Sequence, residues 1–180
     1  MTDKSRPDRR VLKTKSSLWE ALFHLLQERD WQEINVSAIC QKANVARSSF
    51  YLHFENKQEL LDYGFETGIN ELRSTVLFQQ DANFLGTLDW LVDHVIENSS
   101  FFKRSKDTNS PVMQKFQRAA KALFQEELER KPYKAEAGTA AYIAGGTFEV
   151  LVEWVSSDQK ITRRALSDLV QRNARLLLNP

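Results

Sequence analysis

The side chains best suited to chemistry lie in one short stretch, residues 47–53. Its polar members share the outer face of a short predicted helix: Arg47, Ser48, Ser49 and His53. Each of them carries a hydrogen-bond donor. A row of donors on a solvated helix can bind phosphate oxygens and the polar edges of DNA bases. The chemistry that this stretch indicates is therefore nucleic-acid binding.

Two short helices joined by a tight turn would position that face. In the first helix, apolar residues recur at i, i+3, i+4 and i+7: Val36, Ile39, Cys40 and Ala43. Asn35 precedes them as an expected N-cap, and Asn44 follows, where its tolerance of the left-handed conformation would end the helix. The second helix buries Phe50 and Phe54 at i and i+4. This arrangement is typical of a helix-turn-helix motif, whose second helix enters the major groove of DNA.

The run from Asn44 to Leu61, NVARSSFYLHFENKQELL, resembles the recognition-helix segment of the TetR/AcrR family of transcriptional regulators. The residues that match are Ser49-Phe50-Tyr51, Phe54 and Asn56 to Leu61. Asn44 replaces the usual glycine and Ala46 the usual capping serine, whose loss removes a cap worth roughly 1 kcal/mol. The resemblance covers about residues 10–65 and implies a DNA-binding regulator.

The same resemblance implies roles for individual side chains. Arg47 and Ser48 stand at positions that reach base edges in the major groove, where an arginine can bridge O6 and N7 of a guanine. Four others match positions that mostly hold phosphates and so fix register: Ser49, Tyr51, His53 and Lys57. Lys57 would also gain from the exposed N–H groups at a helix N-terminus. Asn35 and Ser37 are further candidates for phosphate or base contacts.

The charge of the chain is unevenly distributed, although the net charge is only +1. The first fifteen positions hold six basic residues against two acidic ones, and the basic residues are Lys4, Arg6, Arg9, Arg10, Lys13 and Lys15. A basic arm before a helix-turn-helix can follow phosphates or reach a minor groove. The alternative is a solvated, frayed terminus.

The sequence favours a cytoplasmic protein without a cofactor. No apolar run approaches the ~20 residues that a membrane span needs, and no apolar segment follows the charged N-terminus as in a secretory signal. The single cysteine, Cys40, excludes an internal disulfide and fits a reducing compartment. Because Cys40 lies on an apolar helix face, we expect it to pack in the core.

The remaining periodicity predicts an all-α fold with about nine helices and no strand. We expect a helix-turn-helix head at residues 1–56, with Trp31 packed beneath it, and a ligand-binding and dimerisation body at residues 57–180. The longer helices are expected at about 10–29, 57–80, 81–98, 111–130, 135–155 and 163–178, with a short one around Phe101-Phe102. Asn56 would cap the fourth helix, which carries Gly64 and Gly68. We interpret these glycines as close helix packing, with a bend that transmits a signal as the alternative.

The last two helices carry more apolar surface than one small body can cover. In the resembled family such helices form a four-helix bundle across a two-fold axis, so the resemblance implies a homodimer. The run from Ala144 to Trp154 is also similar to the Gly-Gly…Glu-Trp segment of one C-terminal subgroup of the family. The expected interface residues are Ala141, Gly145, Phe148, Leu151 and Trp154.

Aromatic residues of the body would enclose a pocket. The candidates are Phe65, Phe84, Trp90, Phe101, Phe102, Phe116 and Phe124. An apolar pocket with few polar groups would suit a small hydrophobic or aromatic effector. His94 could face that effector or pack as a core histidine.

Catalysis has no support in the sequence. The three histidines, His24, His53 and His94, lie on different predicted helices, and none has a metal-ligand partner at a suitable spacing. We therefore expect a ligand-responsive, dimeric repressor of a near-palindromic operator in double-stranded DNA. The alternatives are a TetR-like coactivator controlled by a protein partner, or an α-helical enzyme.

Overall fold

The computed structural model describes residues 9–74, 84–104, 110–130, 136–157 and 161–178. Within these ranges the chain forms nine α-helices, one 3-10 turn and no strand, so the predicted all-α class is confirmed. The helices are α1 Arg9–Glu28, α2 Val36–Ala43, α3 Arg47–Tyr51, α4 Lys57–Ser74, α5 Phe84–Glu97, α6 Ser99–Arg104, α7 Pro111–Arg130, α8 Thr139–Ser156 and α9 Arg163–Leu178, and the 3-10 turn is Trp31–Glu33. Among them, none combines the length and the hydropathy that a membrane span requires.

The chain divides into two compact units, Met1–Thr67 and Gly68–Pro180. We call them the head unit and the body unit. Their boundary falls inside α4, so the first part of this helix belongs to the head unit. The division into a DNA-binding head at residues 1–56 and a ligand-binding and dimerisation body at residues 57–180 stays a prediction.

Most helix limits agree with the sequence pattern, and α8 is the exception. It begins at Thr139, after the predicted position 135, because Gly138 takes the left-handed conformation, with φ 94° and ψ −11°, directly before it. Pro111 opens α7 as expected, and the Thr162 hydroxyl accepts a hydrogen bond of 3.2 Å from the Ala165 N–H at the start of α9. The predicted start at Asp81, the end of the fourth helix beyond residue 74 and the arm up to residue 8 lie outside the described residues.

The head unit has a compact aliphatic and aromatic core. Its deepest residues are Leu18, Leu22, Leu26, Ile34, Ile39, Phe50, Leu60 and Leu61. Cys40 is buried among them, as predicted, and burial raises the pKa of its thiol above the usual value. A protonated, buried thiol is unreactive, so core packing accounts for Cys40.

The close contact between α1 and α4 explains one of the two helix glycines. A Cβ atom added at Gly64 would overlap the indole ring of Trp19. The same indole is 6.3 Å, centroid to centroid, from the ring of Phe65. Gly68 differs, because an added Cβ there would meet nothing within 4 Å. Close packing therefore requires glycine at position 64 but not at position 68.

The body unit packs α7 along α8 and α5 along α9. Its buried side chains are largely aromatic and aliphatic, among them Phe84, Leu88, Phe102, Met113, Phe124, Phe148 and Leu151. The Asp93 carboxylate accepts two hydrogen bonds of 2.7 Å from the Arg163 guanidinium, which joins α5 to α9. This contact holds the pKa of Asp93 below its usual value. The Ser167 hydroxyl donates to Asp89 across the same pair of helices.

The two glycines of α4 give a matched test of the packing. We expect Gly64→Ala to lower the free energy of unfolding by about 1–3 kcal/mol, because its methyl group must displace the Trp19 indole. We expect Gly68→Ala to raise it by up to about 1 kcal/mol, through helix propensity alone. Urea denaturation followed by circular dichroism measures both. Equal effects of the two substitutions would contradict this account of Gly64.

Candidate nucleic-acid interface

An asparagine stands at each end of α2, and the second of them forms the turn that leads into α3. Oδ1 of Asn35 accepts a hydrogen bond of 2.9 Å from the Ala38 N–H, so Asn35 is the N-cap that the sequence predicts. Asn44 ends α2 in the left-handed conformation, with φ 54° and ψ 44°. The N–H of Val45 then donates to the Cys40 carbonyl at 3.0 Å. This C-terminal turn sets the direction in which the chain enters α3.

The second helix of the motif, α3, is only five residues long. Ala46 occupies its N-cap position with extended backbone angles, φ −63° and ψ 142°, and makes no side-chain capping bond. The helix is instead held by its inner face. Phe50 is fully buried and Phe54 nearly so, with 5.8 Å between their ring centroids. Burial of these two rings, rather than capping, fixes the orientation of the helix.

The outer face of α3 presents a preformed pair of polar side chains. Nη2 of Arg47 donates a hydrogen bond of 3.1 Å to the Tyr51 hydroxyl, and its guanidinium lies 5.6 Å from the centroid of the Tyr51 ring. Arg47 is exposed, and 49% of the Tyr51 surface is accessible. The hydroxyl contact restrains a long, flexible side chain while leaving it open to a ligand.

The other predicted residues differ in exposure. Ser48 and Ser37 are exposed, whereas Ser49 and His53 are half-buried on the flanks of α3. Asn35 is exposed, but its side-chain oxygen is already used in the cap. The structure thus brings Arg47 and Ser48 onto one open face.

Lys57 is placed differently from the phosphate contact that the sequence suggested. Its ammonium donates to the carbonyl of Trp31 at 2.5 Å and to that of Ile34 at 2.7 Å. It also lies 4.3 Å from the centroid of the Trp31 ring. Partial burial lowers the pKa of this ammonium, whereas the two carbonyl oxygens favour its charged form. Lys57 therefore joins the start of α4 to the segment that leads into α2.

The N-terminus of α4 is also closed by its own side chains. Oδ1 of Asn56 accepts from the N–H groups of Gln58 at 2.9 Å and Glu59 at 3.0 Å, so the predicted cap is present. The Glu59 carboxylate accepts from the Glu55 N–H at 2.6 Å. These bonds use two of the N–H groups that would otherwise attract a phosphate. This competition was not predicted from the sequence, although the spacing of Asn56 and Glu59 is typical of a capping box.

The aromatic residues expected to line a pocket form a contact network in the body unit, with one exception. The Phe102 and Phe116 ring centroids are 4.9 Å apart, and the Phe84 and Phe124 centroids 5.2 Å apart. Phe101, which lies 5.0 Å from Phe102, belongs to the same network. Phe65 lies in the head unit against Trp19, a position that does not support a place in a body pocket.

His94 occupies the middle of this aromatic network. Its imidazole stacks on Trp90, with 4.9 Å between centroids, and lies nearly parallel to Phe116 at 6.1 Å. Burial lowers the pKa of His94, so the ring is neutral at neutral pH. His94 is thus a polar group surrounded by apolar rings.

The expected dimer residues do not all reach the surface of α8. Phe148 and Leu151 are buried within the single chain, at 1% and 0% exposure, and so offer a partner no surface. This corrects their assignment, because a helix that is apolar all round cannot show from its sequence which side faces its own core. Gly145 is exposed, with nothing within 4 Å of an added Cβ. Ala141 and Trp154 are half-buried, and the indole N–H of Trp154 donates to the Ile161 carbonyl at 2.9 Å.

Comparison with known proteins agrees with this geometry. The family model described as "Bacterial regulatory proteins, tetR family" matches residues 18–63, which include α2, the turn and α3. Residues 18–63 thus carry the helix-turn-helix domain of the TetR family of transcriptional regulators. This family consists of regulators and not of enzymes, in agreement with the expectation that the chain is no enzyme.

Among its relatives by sequence is the uncharacterised HTH-type transcriptional regulator YxbF of Bacillus subtilis, 44% identical over 55 residues, which are 30% of this chain and 14% of that protein. Another is DhaS of Lactococcus lactis, the activator of the dhaKLM operon, 30% identical over 94 residues, which are 51% of this chain and 48% of that protein. The chain thus spans about half, or less, of these curated relatives.

Solved structures extend the likeness to the whole fold. A TetR regulator from Streptococcus agalactiae superposes with a TM-score of 0.69 at 24% identity, covering 93% of this chain and 96% of that one. The structure of the dihydroxyacetone kinase operon activator DhaS superposes with a TM-score of 0.67 at 20% identity, covering 92% and 96%. These likenesses establish the nine-helix TetR fold.

The contacts of Lys57 lead to a prediction that distinguishes a structural role, through its bonds to the Trp31 and Ile34 carbonyls, from phosphate binding. Lys57→Met keeps the length of the side chain but removes its donors, and leaves the carbonyls of Trp31 and Ile34 without them. We expect the free energy of unfolding to fall by about 1–3 kcal/mol. We expect the slope of log K for DNA against log salt to stay unchanged. Urea denaturation and a salt titration of binding measure the two quantities.

A suitable control is Lys42→Met, which removes a lysine from the same unit. Its ammonium forms an exposed ion pair of 2.9 Å with Glu28, so its loss should change stability by less than about 1 kcal/mol. If Lys57→Met left stability unchanged and reduced the salt slope by about 0.9 for each lost contact, Lys57 would be a phosphate ligand and not a brace.

Proposed function

We propose that this protein is a cytoplasmic, ligand-responsive transcriptional repressor that binds a near-palindromic operator as a homodimer. The observation that carries the proposal is the outer face of α3, where Arg47 is held by Tyr51, whose ring packs against the buried ring of Phe50. A restrained, exposed arginine on a recognition helix is suited to bidentate contact with guanine.

The rest of the interface would fix the register of the helix on DNA. Ser48 is exposed beside Arg47 and has a hydroxyl for a second base edge. Ser49 and His53 at the flanks, and Tyr51 beside Arg47, would hold phosphates. Exposed Ser37 and the cap residue Asn35 would meet the backbone beside α2. Contacts of this kind position the protein, while sequence preference comes from the base edges.

Dimerisation would double the DNA-binding surface, which is too small in a single head unit. A single module buries limited area on DNA, so two heads on one rigid body would raise the affinity. The surface of α8 and α9 carries apolar side chains without cover in one chain, Tyr142 at 72% exposure and Leu176 at 69%. Gly145 leaves room for close approach of a second backbone. An interface of roughly 2,000 Å² would hold the heads about 34–36 Å apart, one turn of DNA.

An effector would act through the aromatic network of the body. A small hydrophobic or aromatic molecule would replace some ring contacts around His94, whose neutral imidazole offers it one donor and one acceptor. Such a ligand can change the affinity for DNA only if it binds two conformations of the body unit with different affinities. Repression then requires nothing more than occupation of promoter DNA.

The second candidate is an activator, and the relative DhaS favours it. That protein is named a transcriptional activator and is similar to this chain in both sequence and fold. Activation could depend on a protein partner in place of a small molecule. The aromatic rings contact one another at 4.9–5.6 Å, which suits a filled body and favours such a partner. Transcription in vitro from a promoter bearing the selected operator distinguishes the two, because a repressor lowers the yield of transcript and an activator raises it.

Selection of bound sequences from random duplexes tests the proposal. We expect the wild-type protein to select a two-fold symmetric motif. Arg47→Ala should relax the preference at one base pair in each half, because a base contact is worth roughly 1–3 kcal/mol. Arg118→Ala, which removes an exposed arginine from α7, should leave the motif unchanged. An unaltered motif with Arg47→Ala would exclude Arg47 as a reader.

A second variant tests the dimer. Gly145→Glu would place an unpaired charge on α8 near the proposed two-fold axis, and the open space at this position leaves the fold of the single chain intact. We expect sedimentation at micromolar concentration to show a dimer for the wild type and a monomer for the variant, with DNA binding lost as well.

Ala122→Glu, at an exposed position on α7, adds the same charge and should change neither property. A monomeric wild type would refute the dimer. A monomeric Gly145→Glu that retained full affinity for DNA would refute the requirement for two heads.

A further inference from the structure

We propose that Leu52 recognises the 5-methyl group of a thymine in each operator half-site. The inference rests on the proposed function, since it requires α3 to lie in the major groove. Leu52 is 79% exposed, which is the highest value for any large hydrophobic residue in the described part of the chain. It directly follows α3, on the surface that carries Arg47 and Ser48.

The backbone holds Leu52 in a defined position. It is the C-cap residue of α3, with φ −73° and ψ −18°, and its N–H donates to the Ser48 carbonyl at 3.2 Å. Leu52 therefore lies one helical turn after Ser48, on the same side of the helix. Its neighbour Tyr51 is half exposed and engaged with Arg47. An apolar side chain thus stands directly beside the predicted base readers.

The head unit does not need Leu52 for its own core. Phe50 and Phe54, on the inner face, are 0% and 3% exposed and fill the space beneath α3. An aliphatic side chain in water gains free energy when a partner removes it from solvent. On a surface that binds DNA, that partner must be an apolar group of the DNA.

The chemistry of the major groove identifies this group. The base edges there present nitrogen and oxygen donors and acceptors, and the one apolar substituent is the C5-methyl group of thymine. Burial of leucine against a polar edge or a phosphate would leave that group without a hydrogen bond, which is unfavourable. A thymine methyl is therefore the group that fits Leu52.

Replacement of thymine by deoxyuridine, one position at a time in the selected operator, tests the proposal directly. Deoxyuridine keeps every hydrogen bond of the base pair and lacks only the methyl group. We expect the wild-type protein to bind about fourfold more weakly when one critical position is replaced, and about 15-fold more weakly when both halves are replaced. Leu52→Ala should bind the thymine and deoxyuridine operators with the same affinity.

The matched control is Leu12→Ala, which shortens another exposed leucine of the head unit, 46% accessible on α1, and should keep the sensitivity to deoxyuridine. Thermal melting shows that both variants fold. An operator without any deoxyuridine-sensitive position would overturn the proposal, and so would a sensitivity that persists in Leu52→Ala. A wild-type protein that selects no sequence at all would instead refute the proposed function.

Discussion

The insertion of Phe50 into the core of the head unit is the contact on which the position of α3 depends. Five residues cannot form a stable helix by themselves, because nucleation costs more than so few hydrogen bonds return. Ala46 adds no cap that would offset this cost. The helix exists because Phe50, with Phe54 one turn later, is removed from water. The buried rings of Phe50 and Phe54 therefore set the direction in which the outward side chains of α3 point.

Two further contacts, both made by α4, stabilise the head unit. The ammonium of Lys57 joins the start of α4 to the carbonyls before α2, and the bare backbone of Gly64 receives the Trp19 indole of α1. Because the boundary of the two compact units falls within α4, this helix is part of both. In the head unit it contacts two segments that precede α2, namely α1 and the residues around the 3-10 turn.

The sequence predicted the local features of the site well and its long-range contacts poorly. The caps at Asn35 and Asn44 were predictable, because the groups they satisfy lie within four residues of them. The role of Lys57 was not, since its acceptor at Trp31 is 26 residues away and only the folded chain brings them together. The orientation of Phe148 was missed for another reason. In a helix apolar on all sides, periodicity cannot distinguish the inner face from the outer one.

We propose that α3 lies in the major groove and that the Arg47 guanidinium contacts a guanine there. Methylation interference tests it most directly, because dimethyl sulfate modifies guanine at N7 in the major groove and adenine at N3 in the minor groove. With the selected operator, the account predicts that N7 methylation of one guanine in each half-site excludes DNA from the bound fraction, and that Arg47→Ala loses this exclusion. Interference confined to adenine N3, or equal interference with and without Arg47, would contradict it.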